Sequence, residues 1–180
     1  MNAATLLSSL ALGVALFVTP ATAQTPPTSQ PVAVDVLKPV AFLVGGDWRL
    51  DAKWANGSPA RARASFVAEN NGTAISGRTF ELDAAGAETQ RDLTVFAVAD
   101  GQLTAFVFHK DGTSRATPAT IGAERTISFA WTKPGKPGQP GTPLRQVITP
   151  VDADHYRWQS FMQIKGEWHT TIDGVWTRAK

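Results

Sequence analysis

Gly46-Asp47-Trp48-Arg49-Leu50-Asp51-Ala52-Lys53-Trp54 alternates without a break. Trp48, Leu50, Ala52 and Trp54 fall on one face, and Asp47, Arg49, Asp51 and Lys53 on the other. A period of two residues is that of a β-strand with one dry and one wet face. The pattern returns along the chain in Ala60–Glu69, Thr73–Leu82, Thr89–Val98, Gln102–His109, Ser114–Ile121, Arg125–Lys133, Leu144–Thr149, His155–Gln163 and Glu167–Arg178. Asn56-Gly57, Asn71-Gly72, Gly86, Asp100-Gly101, Asp111-Gly112, Gly122 and Lys165-Gly166 punctuate these runs. Gly and Asn tolerate the positive φ that tight hairpins require. An all-β domain follows: about ten strands joined by short hairpins, read as an antiparallel up-and-down barrel because closure removes exposed edges. A two-sheet sandwich is the rival architecture.

Outside the strands, Leu6 to Val18 is apolar and Ala21-Thr22-Ala23 offers small residues for cleavage. That apolar run is too short to span a bilayer, so residues 1–23 read as a secretory signal peptide, with an uncleaved anchor as the alternative. The n-region carries no Lys or Arg, only the terminal amine. Residues 24–34, rich in Pro, Thr and Gln, read as a flexible linker, and residues 35–180 as the barrel domain. The expected location is periplasmic or secreted. The chain has no cysteine, hence no lipid anchor after the signal and no disulfide; its core must hold it together. Net charge is +2, with both signs interspersed and no Lys/Arg run, which argues against a nucleic-acid partner and against membrane insertion after signal cleavage.

Val36, Leu37, Val40, Phe42, Leu43 and Val44, with Pro39 among them, suggest a short helix plugging one barrel end. Pro134 to Pro143 repeats proline every third residue and reads as a stiff, exposed loop with polyproline character.

Hairpin loops set the registers. A three-residue loop Ile164-Lys165-Gly166 would place Met162 against Trp168, Trp158 against Ile172 and Tyr156 beside Gly174, with nearly all large apolar residues on one face. A two-residue loop would set Met162 against His169, so the first register is expected. At Asn70-Asn71-Gly72, one loop length places Ala62 opposite Phe80 and Ala64 opposite Arg78; another turns Glu81 inward instead. Either way one charge lies on a face of small and apolar residues. The row Ala60, Ala62, Ala64 and Ala68 leaves room inside the barrel, for neighbouring side chains or for a ligand.

Leu43-Val44-Gly45-Gly46-Asp47-Trp48 and the closing Trp176-Thr177-Arg178 resemble the pattern of lipocalins and related calycin barrels, and most closely a bacterial, exported lipocalin-like family of unknown function. The resemblance runs from Val36 to Arg178. It implies that Gly46, Trp48 and Arg178 form a structural motif, with Arg178 stacked on Trp48, and that the barrel could carry a small apolar ligand. Barrels resembling nitrobindin share the Gly-x-Trp step, but a haem ligand needs an inward histidine. By parity His155 and His169 share the polar face, and His109 ends its strand near solvent.

No catalytic motif is present: there is no Gly-x-Ser-x-Gly and no thiol. No metal-ligand spacing appears and no cofactor is expected. The expected function is therefore reversible binding of a small, mainly apolar molecule in the barrel, without enzymatic activity. Phe66, Arg78, Phe80, Tyr156, Trp158, Met162 and Trp168 are the candidate ligand-binding residues. Alternatives are an envelope structural or protein-interaction module with a filled barrel, a haem-binding barrel, and a small hydrolase or isomerase drawing on Glu81, Asp92 and Arg78.

Overall fold

A computed structural model describes residues 35–179 of the chain. The expected signal peptide (1–23) and linker (24–34) lie outside the described residues. The domain opens with a helical segment whose 3₁₀ part spans Lys38–Leu43, with Pro39 in its first turn, where the missing N–H costs nothing. Ten strands follow: β1 (Asp47–Lys53), β2 (Pro59–Glu69), β3 (Ala74–Leu82), β4 (Glu88–Ala99), β5 (Gln102–His109), β6 (Ser114–Ile121), β7 (Ile127–Lys133), β8 (Thr142–Pro150), β9 (His155–Ile164) and β10 (Glu167–Arg178). Each pairs antiparallel with its sequence neighbours, and β10 returns to β1, so the sheet closes into an up-and-down barrel. The sandwich alternative is thereby excluded.

Alternate hairpins lie at opposite ends. The 3₁₀ helix and the loops after β2, β4, β6 and β8 gather at one end, here the closed end. The loops after β1, β3, β5, β7 and β9 ring the other, the open end.

The closed end is a packed core. Trp48, Val40, Leu43 and Ile127 are fully buried. Trp48 donates its indole N–H to the Leu43 carbonyl at 2.8 Å and meets Tyr156 edge-on at 4.8 Å between centroids. A buried Trp removes roughly 150–250 Å² from water, which at about 25 cal/mol/Å² favours folding by roughly 4–6 kcal/mol. Arg178 covers that indole, its guanidinium carbon 4.3 Å from the ring centroid. It also donates to the carbonyls of Phe42 (2.8 Å) and Val44 (3.4 Å), and lies 3.6 Å from Asp154. One side chain thus clasps the last strand to the 3₁₀ helix and the β8–β9 loop. Gly46 is glycine because a Cβ there would collide with the Arg178 guanidinium. The stack expected from the resemblance is present.

Two registers differ from expectation. The β9–β10 loop has two residues, not three. Lys165 (φ 52°) and Gly166 (φ 87°) are both left-handed, as a type I′ turn requires, and Met162 stands opposite His169. The aromatic face survives because the register shifts between Thr170 and Ile172. Thr171 is the extra residue; its carbonyl accepts from the Ala55 amide at 2.8 Å and its hydroxyl donates to the Ser160 carbonyl at 3.0 Å. Beyond this bulge Gly174 faces Trp158 and Trp176 faces Tyr156.

The β2–β3 loop is longer than assumed, with Asn70, Asn71 and Gly72 all left-handed before Thr73. It sets Ala62 against Glu81, Ala64 against Thr79 and Phe66 against Gly77. Glu81 therefore turns inward, and Arg78 and Phe80 turn outward. Gly77 makes room for the Phe66 ring, which a Cβ there would strike. The Pro134–Pro143 loop is exposed over most of its length, as expected, but it closes through a turn (Gln139 amide to Lys136 carbonyl, 2.8 Å) rather than running as extended polyproline.

Candidate functional site: a half-empty barrel

Above the packed floor the barrel holds a cavity of about 1090 Å³ that reaches the open end, beside a smaller recess of about 310 Å³ under the β1–β2 loop. The sequence places room here. Ala64 lines the larger space, and Ala60 and Ala62 line the smaller. Larger residues at these strand positions would fill the barrel, as small barrels usually are.

Two aromatic groups bound the space. On one wall Tyr156 stacks on Trp176 (5.8 Å), which meets Trp158 edge-on (6.4 Å), which meets Trp54 (6.5 Å). Burial pushes the Tyr156 phenol well above its ordinary range, so it stays neutral. On the other, Phe66, Phe96 and Phe129 follow one another at 6.4 and 6.0 Å. Aromatic surfaces of this extent suit an apolar guest.

Toward the mouth the lining becomes ionic. Register shifts at Thr79/Phe80 on β3, leaving Arg91 as the extra residue of β4 beside Asp92. Arg91 lies 3.4 Å from both Glu81 and Asp92, and Lys110 lies 3.2 Å from Glu81. Asp92 accepts from His109 Nδ1 at 2.5 Å. Arg115 donates through one terminal nitrogen to His109 Nε2 and lays its guanidinium over Trp131 at 4.0 Å. A guanidinium only donates, so Nε2 accepts and the imidazole proton sits on Nδ1, where Asp92 receives it. Burial pulls the Arg115 pKa below its ordinary value, Asp92 acting the other way. Two polar atoms of this region, Arg115 Nε and Thr117 Oγ1, are buried without a hydrogen-bond partner.

Four of the seven candidate ligand residues fall on the inner face and three do not. Phe66, Tyr156 and Trp158 line the cavity. Met162 sits on the same face near the mouth, opposite Leu144 and His169. Trp168 is outside and 41 % exposed; with Phe161 it receives Arg145, whose guanidinium lies 5.0 and 4.8 Å from the two rings. The two-residue turn is the cause, since it flips the start of β10 relative to the assumed register. Arg78 is exposed. Phe80 lies on the outer wall under Arg63, at 4.5 Å, which is itself held by Glu88 (2.6 Å) and Asp47 (3.2 Å).

Histidine placement also changes. His109 turns into the cavity rather than to solvent, and His169 takes an inner-face position at the mouth, where it is exposed. His109 was legible: Leu103, Ala105, Val107 and His109 share parity along β5, as do Arg115 and Thr117 along β6. Arg91 was not, because a bulge leaves no mark in an alternating pattern.

Neither a protein-family model nor a curated protein matches the chain. Solved structures do. Rv2717c from M. tuberculosis is 12 % identical with a TM-score of 0.51, over 81 % of this chain and 98 % of that one. EF1p2_mFAP2b, solved bound to DFHBI, is 10 % identical with a TM-score of 0.43, over 80 % of this chain and 99 % of that one. At 12 % identity the likeness to Rv2717c speaks for the fold alone, and nothing is argued from the other.

Proposed function

We propose that this is an exported, lipocalin-like barrel that reversibly binds a small, mainly apolar molecule in its interior, in the periplasm or after secretion. The observation that carries the reading is the cavity of about 1090 Å³ between the Trp158/Trp176/Tyr156 wall and the Phe66/Phe96/Phe129 group. Burying a guest's apolar surface against these rings supplies the affinity, at about 25 cal/mol per Å² before the cost of association. The clasp of Arg178 on Trp48 supports the lipocalin-like part, and the apolar run of Leu6 to Val18 supports export. A space of this size speaks against a filled interaction module. Binding rather than catalysis is favoured because His109 Nε2, the atom that would serve as a general base, is occupied by Arg115.

Native mass spectrometry on protein exported and purified without detergent tests this. An added mass that leaves on denaturation, or one-to-one complexes with members of an apolar panel, is the expected result. A bare mass that no member of the panel shifts would overturn the reading.

A further inference from the structure

The outer wall of the barrel is not uniform. On β1 the outward side chains are Asp47, Arg49, Asp51 and Lys53, all exposed. On β4 and β5 they are apolar. Thr94, Phe96, Ala105 and Val107 line the cavity, so by alternation Leu93, Val95, Phe106 and Phe108 point outward. Residues 93–98 (LTVFAV) and 103–108 (LTAFVF) are accordingly almost continuously apolar. That pattern belongs to strands covered on both faces. Here the outer face is bare, and Phe108 is 48 % exposed. A contiguous apolar wall rimmed by polar residues marks an interaction surface.

Strand pairing arranges this wall in three rows. The middle row runs Ser76, Val95, Phe106, Ala116. Two residues nearer the open end lie Arg78, Leu93 and Phe108. Two residues nearer the closed end lie Ala74, Ala97 and Thr104, with Glu69 beside Ala74. One flank is thus large and ends in a cation; the other is small and ends in an anion. Arg78 is exposed, and neither it nor Glu69 has an ion-pair partner among the described residues. Glu69 accepts only from the Ser76 hydroxyl, at 2.6 Å.

We propose that this wall receives a second copy of the chain, in a symmetric dimer whose two-fold axis runs along the middle row. Such an axis lays each flank on the opposite flank of the partner copy, as an isologous interface requires. Leu93 then covers Ala97, Phe108 covers Thr104, and Arg78 reaches the Glu69 carboxylate, in both directions at once. Large meets small and plus meets minus without any change of fold. From β2 to β6 the wall is about 19 Å wide at roughly 4.8 Å per strand, so the interface is at the small end of specific ones and the dimer is reversible, with a micromolar Kd. The dimer leaves the barrel mouth open and stands or falls independently of what the cavity binds.

Sedimentation velocity from about 1 to about 300 µM protein tests this, with circular dichroism as a folding check on each variant. The wild type should pass from monomer to dimer over that range, and Phe108→Asp should stay monomeric. Arg78→Glu and Glu69→Arg should each raise the Kd about tenfold or more. Mixed in equal amounts, these two variants should form a heterodimer of about wild-type affinity, because both contacts again pair opposite charges. A wild type that is monomeric throughout, a dimer that survives Phe108→Asp, or a mixture no tighter than either single variant would overturn the interface. A monomer that sediments with phosphatidylglycerol vesicles would overturn it too, and would assign the wall to a lipid surface.

Discussion

At the closed end Trp48 is fully buried, its indole N–H is bonded and its face is capped by Arg178; toward the open end the barrel holds a cavity of about 1090 Å³, and buried polar atoms of Arg115 and Thr117 have no hydrogen-bond partner. The same ten strands pass through both regions. What differs is side-chain size and saturation. The floor uses Trp, Leu, Ile and Tyr to fill the barrel and a single Arg to bond three elements. The upper half sets alanines beside a ring of charges whose pairings are incomplete. A fold can be stabilised from one end and leave the other for work, provided the first end is packed to the density of a protein interior.

The contrast can be broken most forcefully at the floor. Trp48→Ala should cost about 3–5 kcal/mol, measured by urea denaturation, because nothing nearby can collapse into the gap. Arg178→Met should cost about 1–3 kcal/mol, since it uncaps the indole and leaves the Phe42 and Val44 carbonyls without their donor. A loss from Arg178→Met below roughly 0.5 kcal/mol, the size of an ordinary surface change, would mean that the clasp is ornamental.

In the upper half the effect should move from stability to binding. Trp158→Ala should weaken pyrenebutanol binding about tenfold or more by isothermal titration, since it removes the middle of the aromatic wall. Trp168→Ala should leave that affinity unchanged and cost about 0.5–1 kcal/mol of stability through its lost contact with Arg145. Opposite results from this pair would invert the assignment of β10. The smallest effect belongs to the outer wall. The hydrogen bond from Arg63 holds the Glu88 carboxyl below its ordinary value of 4.5. Its folded pKa is depressed, so the contribution is complete above that ordinary value and is lost as pH falls through the lower folded one. Glu88→Gln should flatten the acid limb of stability against pH slightly and leave the plateau slope unchanged.

Much of this was legible in the chain. Alternation fixed by a two-residue period carries the strands, and Gly-x-Trp with a terminal Arg carries the clasp. Three of the four alanines in the row, Ala60, Ala62 and Ala64, line the open space, whereas Ala68 is exposed. The failures share one physical cause, backbone irregularity. Lys165 is left-handed as well as Gly166, which shortens the last hairpin to two residues and sends Trp168 outside. Thr171 then restored the phase, so a register rejected for scattering the aromatics keeps them together. Left-handed Asn70 and Asn71 lengthened another loop and turned Arg78 and Phe80 outward. The bulge at Arg91 placed two consecutive charges on the inner side. Each is a single-residue event stabilised by tertiary contacts, and a parity argument has no term for it. His109 and Arg115 share the parity of the inner face, but residues at strand ends look solvated when the strand is read alone.

On the proposed function, the upper half of the barrel, not its outer wall, receives the guest. Anomalous diffraction from crystals grown with a bromine-tipped fatty alcohol tests it most directly. The expected result is a bromine peak inside the barrel, between Trp158 and Phe129 and above Trp48. A peak only on the outer wall, beside Trp168 or Phe80, would contradict it.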